Sequence, residues 1–319
     1  MLSMRFGRVL SVVVVICCVA GPVSAQVDLS GTWASRMHED WVDRWPGPEA
    51  VDYTGLPLNE DGRARALAYA ASSLSQPERQ CLFYQPTYTE LGPFNLKIWS
   101  EVDPLSGQIA SWNISGASDR AARTIWMDGR PHPSENAGHT FAGFSTGEWQ
   151  GNTLVVYTTH MKAGYLRRNG VPASDQTVMS EYITRHAETI TIVAMIEDPA
   201  YLTEPTVVSR SWQLDPTIQQ APFGTPCIPI IESPGQKKGA VPHYLPGENP
   251  FVNELTKFYH VPVEATLGGA ETLYPEYRKK LKAYVAPEKC SRYCCGWGGP
   301  GGNGPGFAPN LMCLTPPPP

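Results

Sequence analysis

Long apolar runs are almost missing from this 319-residue chain. The single candidate, Val9 to Ala20, falls short of the roughly 20 residues that a membrane-spanning helix needs. Basic residues are in deficit: 25 Lys and Arg stand against 30 Asp and Glu, a net charge of −5. Such a chain has no general attraction for nucleic acid or anionic membrane. Also absent are a His-Glu-x-x-His pair, a phosphate loop, and a dinucleotide glycine fingerprint set between strand and helix. Zincin proteases, nucleotide hydrolases and Rossmann dehydrogenases are correspondingly disfavoured. With 42% hydrophobic and only 17% charged residues, the chain has the make-up of ordinary globular material that buries one large core.

What is present begins with an export pattern. Arg5 and Arg8 precede the apolar run, and Gly21-Pro22 and Val23-Ser24-Ala25 follow it. This charged, apolar, small-residue order predicts a signal peptide over 1–25, cleaved after Ala25, and a periplasmic or secreted protein without a permanent membrane anchor. Cys17 follows Ile16 where a small residue is wanted, so a lipid anchor is not favoured. Cleavage removes two arginines and takes the net charge from −5 to −7. Six cysteines then remain, an even number that favours disulfides in an oxidising compartment. Cys81 and Cys227, outside the tail, are the expected pair. Cys290, Cys294, Cys295 and Cys313 lack the C-x2-C spacing of a zinc knuckle.

Between Pro93 and Leu214 the hydrophobic period is two. Strands are predicted at Asn95–Glu101, Gly107–Ile114, Ala122–Met127, Gly143–Trp149, Thr153–Met161, Thr177–His186, Thr189–Glu197 and Thr206–Leu214, with another at Trp33. Gly151-Asn152 and His186-Ala-Glu188 are tight antiparallel links, which leave no room for crossover helices. The expected fold is therefore mainly β: an antiparallel lipocalin or calycin-like barrel with peripheral helices, or alternatively a two-sheet sandwich. The domain spans 26–216, with a helical insert over 58–75. A Pro-rich connection and helices at Pro250–Tyr259 and Pro262–Tyr284 occupy 217–285 and are expected to pack on the barrel. The Gly/Pro/Cys-rich tail, 286–319, cannot bury enough apolar surface to fold without its cysteines.

Two resemblances bear on this. Gly31-Thr-Trp33 resembles the Gly-x-Trp opening of lipocalins, whose tryptophan closes one end of an eight-stranded barrel. Ile125-Trp-Met-Asp-Gly-Arg-Pro-His-Pro133, Gly143-Phe-Ser-Thr-Gly-Glu-Trp149 and Glu197-Asp-Pro-Ala-Tyr-Leu-Thr-Glu-Pro205 resemble the blocks, in the same order, of a group of exported bacterial proteins common in soil and water. That resemblance covers roughly residues 28–214. It implies a periplasmic or secreted bacterial protein and supplies no catalytic residues. Where the group often carries Glu-Gly-Asp, this chain has Gln150-Gly-Asn152, which argues against a catalytic or metal role for that hairpin.

The candidate chemistry centres on His160. Strand period places Leu154, Val156, Thr158 and His160 on one face. Facing a hollow barrel, the imidazole can bind a ligand or move a proton; otherwise a neighbouring loop satisfies it. Glu181 is a candidate acid or base opposite His160, or else the partner of Arg210 across neighbouring strands. Asp128-Gly-Arg130 forms a turn whose arginine can anchor an anion, with Asp128 as a further candidate partner for His160. His132, His139 and His160 are a candidate three-imidazole site for a divalent metal, although their spacing matches no recognised signature. The loop Gly164–Gly170 carries Tyr165 and two adjacent arginines and suits a flap at the open end. Trp99, Trp112, Trp126 and Trp212 are candidate cavity walls.

These readings support three functions. First is a binding barrel holding a small apolar or amphipathic molecule through His160, Arg130, Trp126, Trp112 and Tyr165. Second is a cofactor-independent or metal-assisted lyase, isomerase or hydrolase using His160, Glu181, Asp128 and Arg130. Third is a structural or surface-interaction protein acting through its tail.

Overall fold

A computed structural model describes residues 27–36, 48–72, 74–89, 95–116, 122–218, 228–231, 237 and 242–281. The signal segment, Cys227, the four tail cysteines and the tail as a whole lie outside the described residues.

Alternating apolar and polar side chains produce the nine strands of a barrel, and among the described residues there are eleven strands in all. They are β1 (Gly31–Ser35), β2 (Leu96–Val102), β3 (Ile109–Gly116), β4 (Arg123–Trp126), β5 (Phe144–Gln150), β6 (Thr153–Thr159), β7 (Gly164–Tyr165), β8 (Pro172–Ala173), β9 (Val178–His186), β10 (Thr189–Glu197) and β11 (Thr206–Leu214). Nine of these close into a barrel in the order β1-β11-β10-β9-β6-β5-β4-β3-β2, while β7 and β8 form a separate ribbon. Closure depends on β1, which pairs with both β11 and β2, so the two-sheet sandwich is ruled out. All barrel pairs are antiparallel except β4 and β5, which run parallel with Ile125 opposite Ser145. The segment 127–143 lies between these two strands in sequence and carries the chain back so that they run the same way.

Inward residues divide into two cores. Trp33, Leu96, Trp112, Leu154, Ile190 and Trp212 belong to a cluster at one end of the barrel. Trp33 is fully buried in this cluster: its indole N–H donates to Leu29 O at 3.1 Å, and the Arg185 guanidinium lies 5.2 Å from its ring centroid. At the other end Met179, Ala194 and Ile196 pack against Tyr53, Leu58 and Leu166 from the surrounding segments. That end is a lid, not an open funnel. Full burial of each large apolar side chain stabilises the fold by about 1.5–3 kcal/mol.

The helices are shorter than expected. The first, α1 (Glu60–Leu67), is capped where Asn59 accepts from Gly62 N at 2.8 Å. It stops at Leu67 because Tyr69 turns away to bridge His243. A single turn, α2 (Pro86–Thr89), follows. In place of two long C-terminal helices there are α3 (Glu254–Tyr259), α4 (Val263–Thr266) and α5 (Pro275–Lys280). Gly268 and Gly269, at φ of 72° and 126°, break the helical path after α4, conformations open to glycine and strained for other residues.

Candidate functional site

At the lidded end, a cavity of about 320 Å³ lies between the barrel rim and its covering segments. This is at the small end of the roughly 300–1,000 Å³ typical of ligand pockets. Ile196 of β10 and Val208 of β11 supply barrel residues, Leu56 and Leu166 come from the lid, and Leu273 comes from the C-terminal region. Two bonds fix the far wall. Thr272 Oγ1 accepts from Gly55 N at 2.9 Å, and the Tyr274 hydroxyl reaches both Glu204 oxygens at 3.0 and 2.8 Å. The Glu204 carboxylate, by accepting that bond, raises the Tyr274 phenol above its ordinary pKa.

Two polar residues stand out in this lining. Thr87 of α2 is 1% exposed, and its hydroxyl has no hydrogen-bond partner. Buried polar groups usually find a partner, and an unmade bond costs about 1–3 kcal/mol. Arg167, on the flap-like 164–170 loop, contributes the one charged residue among the described lining residues. Leu166 and Arg167 of this loop form part of the cavity wall, at an end that is covered where an open one was expected.

The histidines lie elsewhere. Leu154, Val156 and Thr158 are buried on one face of β6, as the strand period requires. His160 then takes φ of 56°, which ends the alternation. Its Nε2 lies 2.9 Å from Ser134 O and its Nδ1 2.7 Å from Thr159 Oγ1. It is therefore satisfied on the outer wall by a neighbouring loop and does not face a hollow.

The same Thr159 hydroxyl lies 2.7 Å from His132 Nδ1, and His132 Nε2 lies 2.9 Å from Thr146 Oγ1. Because a carbonyl only accepts, the neutral His160 ring donates from Nε2 and accepts at Nδ1 from Thr159. His132 must then donate from Nδ1 to Thr159 and accept at Nε2 from Thr146. Burial, with the neighbouring His160 adding to it, holds the His132 pKa below the ordinary histidine value. His139 joins the group, with its ring centroid 5.2 Å from that of His160 and Nδ1 2.9 Å from Met161 O. The three imidazoles meet, but those of His132 and His160 spend both nitrogens on hydroxyls and a carbonyl. Among the described residues no group of three or more His, Cys, Asp and Glu is placed to hold a metal ion.

Glu181 occupies the barrel interior, fully buried. Its carboxylate forms a double bond-pair with Arg123, Nη1 to Oε2 at 2.5 Å and Nη2 to Oε1 at 2.8 Å. Thr158 lies 3.4 Å from Arg123 Nη1 and bonds Ser145 at 2.8 Å. One expectation is corrected here. Glu181 and His160 stand on opposite sides of the barrel wall, so they do not form an acid/base pair. Glu181 pairs with Arg123 of β4; Arg210 stands on β11, with β10 between it and β9.

Asp128 and Arg130 pair at 2.5 Å on the surface, where Arg130 covers the Trp126 ring at 3.7 Å from its centroid. That contact lowers the Asp128 pKa and raises that of Arg130. Neither residue, nor Trp126, lines the cavity. Trp112 is packed inside the barrel with 1% exposure, as is Trp212 with none. Tyr165 lines a second cleft of about 310 Å³ with Phe83 and Phe141. The letters Gly143-Phe-Ser145-Thr-Gly147 match a nucleophile elbow, yet Ser145 sits within strand β5, fully buried on Thr158, with no strand-to-helix turn to present it.

Comparison of the chain with protein-family models, with curated proteins and with solved structures finds no match.

Proposed function

We propose that the protein is an exported binding barrel that holds one small apolar or amphipathic molecule in the cavity at its lidded end. The carrying observation is the cavity itself: aliphatic walls from β10, β11, the lid and the C-terminal region, with few polar groups to fix a ligand. This mostly apolar, sparsely polar make-up is that of small-molecule sites. The unpartnered Thr87 hydroxyl gives such a molecule a polar contact to complete. The Trp-filled interior at the opposite end argues for a ligand at the rim in preference to one threaded through the barrel.

Export is supported by the order of residues 1–25 and by the resemblance to exported bacterial proteins. It also suits Cys81, which is disulfide-bonded. We assign Cys227 as its partner. Supporting this, Ile230 N donates to Arg79 O at 3.0 Å and Gln80 Nε2 to Ile230 O at 2.9 Å, which brings the chain just after Cys227 beside the chain just before Cys81.

Native mass spectrometry of freshly purified protein tests the binding role. A co-purifying small molecule is expected, and it should be absent from Val208→Trp and Leu273→Trp, two variants that fill the cavity from different segments. A ligand retained at full occupancy in both folded variants would place binding elsewhere.

A further inference from the structure

We propose that residues 128–139 are a strap, held against the outer wall of the barrel by neutral imidazoles and released by acid to uncover the aromatic rings beneath it. This goes beyond the binding role and does not depend on it.

The bonding of the strap carries the inference. Four hydrogen bonds tie residues 128–139 to the rest of the described molecule, and an imidazole takes part in every one: His132 with Thr146 and with Thr159, His160 with Ser134 O, and His139 with Met161 O. The remaining bonds of the strap, Asp128 with Arg130 and Ala137 N with Ser134 O, are internal. Pro131 and Pro133 have no N–H to offer. Just outside the strap, backbone bonds take over: Met127 N donates to Ala110 O at 2.9 Å and Thr140 N to His160 O at 3.0 Å. The ends are thus fixed by backbone, and the hydrogen bonds between them depend on histidine.

The relay through two of these rings has no room for a further proton. Thr146 donates to His132 Nε2, His132 Nδ1 to Thr159, and Thr159 to His160 Nδ1. A proton added to His132 sets an N–H against the Thr146 donor. One added to His160 aims a second N–H at the Thr159 oxygen that His132 already uses. Charge then accumulates as well, because both Nδ1 atoms lie 2.7 Å from that oxygen and the His139 ring centroid is 5.2 Å from that of His160.

No carboxylate among the described residues bonds any of the three rings to offset that charge. On the strap, Asp128 is paired with Arg130, and Glu135 beside Ser134 is exposed. On β5, Glu148 follows Thr146 along the outer face and accepts from Gln150 Nε2 at 2.8 Å. On β6 and just after it stand Tyr157 and Lys162, the latter with Nζ 4.8 Å from the Phe141 ring centroid. Burial, with His160 adding to it, holds the His132 pKa below the ordinary histidine value. The closed strap therefore takes up protons less readily than the open one, and acid favours opening.

Beneath the strap, His132 packs on Phe144 and Tyr157, with ring centroids 5.0 and 5.1 Å away. Tyr182 of β9, also exposed, stands opposite Val155, two residues from Tyr157. Opening joins these rings into one aromatic face on the outer wall, and exposed apolar faces of this kind mark interaction surfaces.

Glutamyl endopeptidase tests this on the full chain, because Glu135 lies within the strap. Cleavage after Glu135 is read against a free peptide of the same sequence at each pH, which cancels the pH dependence of the protease. From pH 7.5 to 5.5 the normalised rate is expected to rise about tenfold, the change that one ring with an open-state pKa near 6.5 supplies. Thr159→Val, which removes the shared hydroxyl, should raise cleavage at pH 7.5 and flatten the profile. Equal rates at the two pH values in the parent would overturn the proposal. An undiminished rise in His132→Gln combined with His160→Gln would overturn it as well. So would a rise matched by cleavage after Glu181 and Glu197 of the barrel strands, since the whole molecule would then be opening.

Discussion

Glu181 shows how far a single residue can be read from sequence. Its inward face on β9 follows from strand period, and so does the need of a buried carboxylate for a cationic partner. Which arginine serves was not legible, because that depends on strand order around the barrel. The parallel placement of β4 beside β5 brings in Arg123. With both side chains nearly inaccessible, at 3% and 0% exposed, Glu181→Gln strands a buried guanidinium. Urea unfolding should show a loss of about 3–5 kcal/mol. Arg123→Met combined with Glu181→Leu should recover most of that, since a volume-matched apolar pair replaces a buried ion pair at little or no cost. A single variant within 1 kcal/mol of the parent (roughly a fivefold change in equilibrium) would show that the pair is not buried as described.

His160 marks the residue-level failure of pattern reasoning. Period two carries Leu154, Val156 and Thr158 correctly, but one positive φ after Thr159 moves the imidazole to the outer wall. Nothing in the letters Thr-Thr-His announces that change. The resulting chain of bonds from Thr146 through His132 and Thr159 to His160 needs neutral rings. Protonated, both rings would aim an N–H at the one Thr159 oxygen. The folded pKa of His132 lies below its unfolded value near 6.5, so between the two values the unfolded chain binds more protons. Stability is therefore full above about pH 6.5 and declines as pH falls toward the folded value. Denaturant midpoints between pH 7.5 and 5 should fall, and less steeply in His132→Gln. Identical slopes in parent and variant would rule out His132 as the source.

At the scale of elements, strand positions were the most legible feature. Predicted and observed strands agree closely because each alternates clearly between turn signals, and Gly151 takes the positive φ of 62° its hairpin demands. The short ribbon of β7 and β8 escaped notice, since two-residue strands carry no period. The C-terminal helices were over-extended because helix-forming side chains continue across Gly268-Gly269 and up to Pro275. The block Glu197–Pro205 is held in place by Asp198. That carboxylate is 2% exposed and accepts from Ser174 N, Ser174 Oγ and Thr177 Oγ1 at 2.6, 2.8 and 2.9 Å, as well as from Ala200 N at 3.0 Å. It ties the segment after β8 to the connection from β10 to β11, both near the candidate cavity. Asp198→Asn turns one acceptor into a donor facing donors. It should cost about 2–4 kcal/mol and raise amide exchange at 174–177 and 198–202 before the barrel strands. Uniform exchange across the molecule would show that the turn is not a separate clasp.

For the whole molecule, the barrel was legible and its contents were not. A count of nine strands with tight links favoured closure, and β1 completes it. Which part of the barrel remains accessible depends on packing among distant segments. Trp33, Trp112 and Trp212 fill one end, and residues near 53–58, 166–171 and 265–267 cover the other. Thr87, Ile196, Val208 and Leu273 gave no sign in sequence of sharing a cavity. Arg167 did so only as part of a loop suited to a flap.

Methyl-labelled NMR during titration with 8-anilinonaphthalene-1-sulfonate addresses the binding site directly. Expected are shifts confined to the methyls of Leu166, Ile196, Val208 and Leu273, with Ile98, Ile114 and Ile190 of the packed end unmoved. Shifts centred on those three isoleucines, or none at the four lidded-end residues while the probe binds, would contradict a ligand site at the covered rim of the barrel.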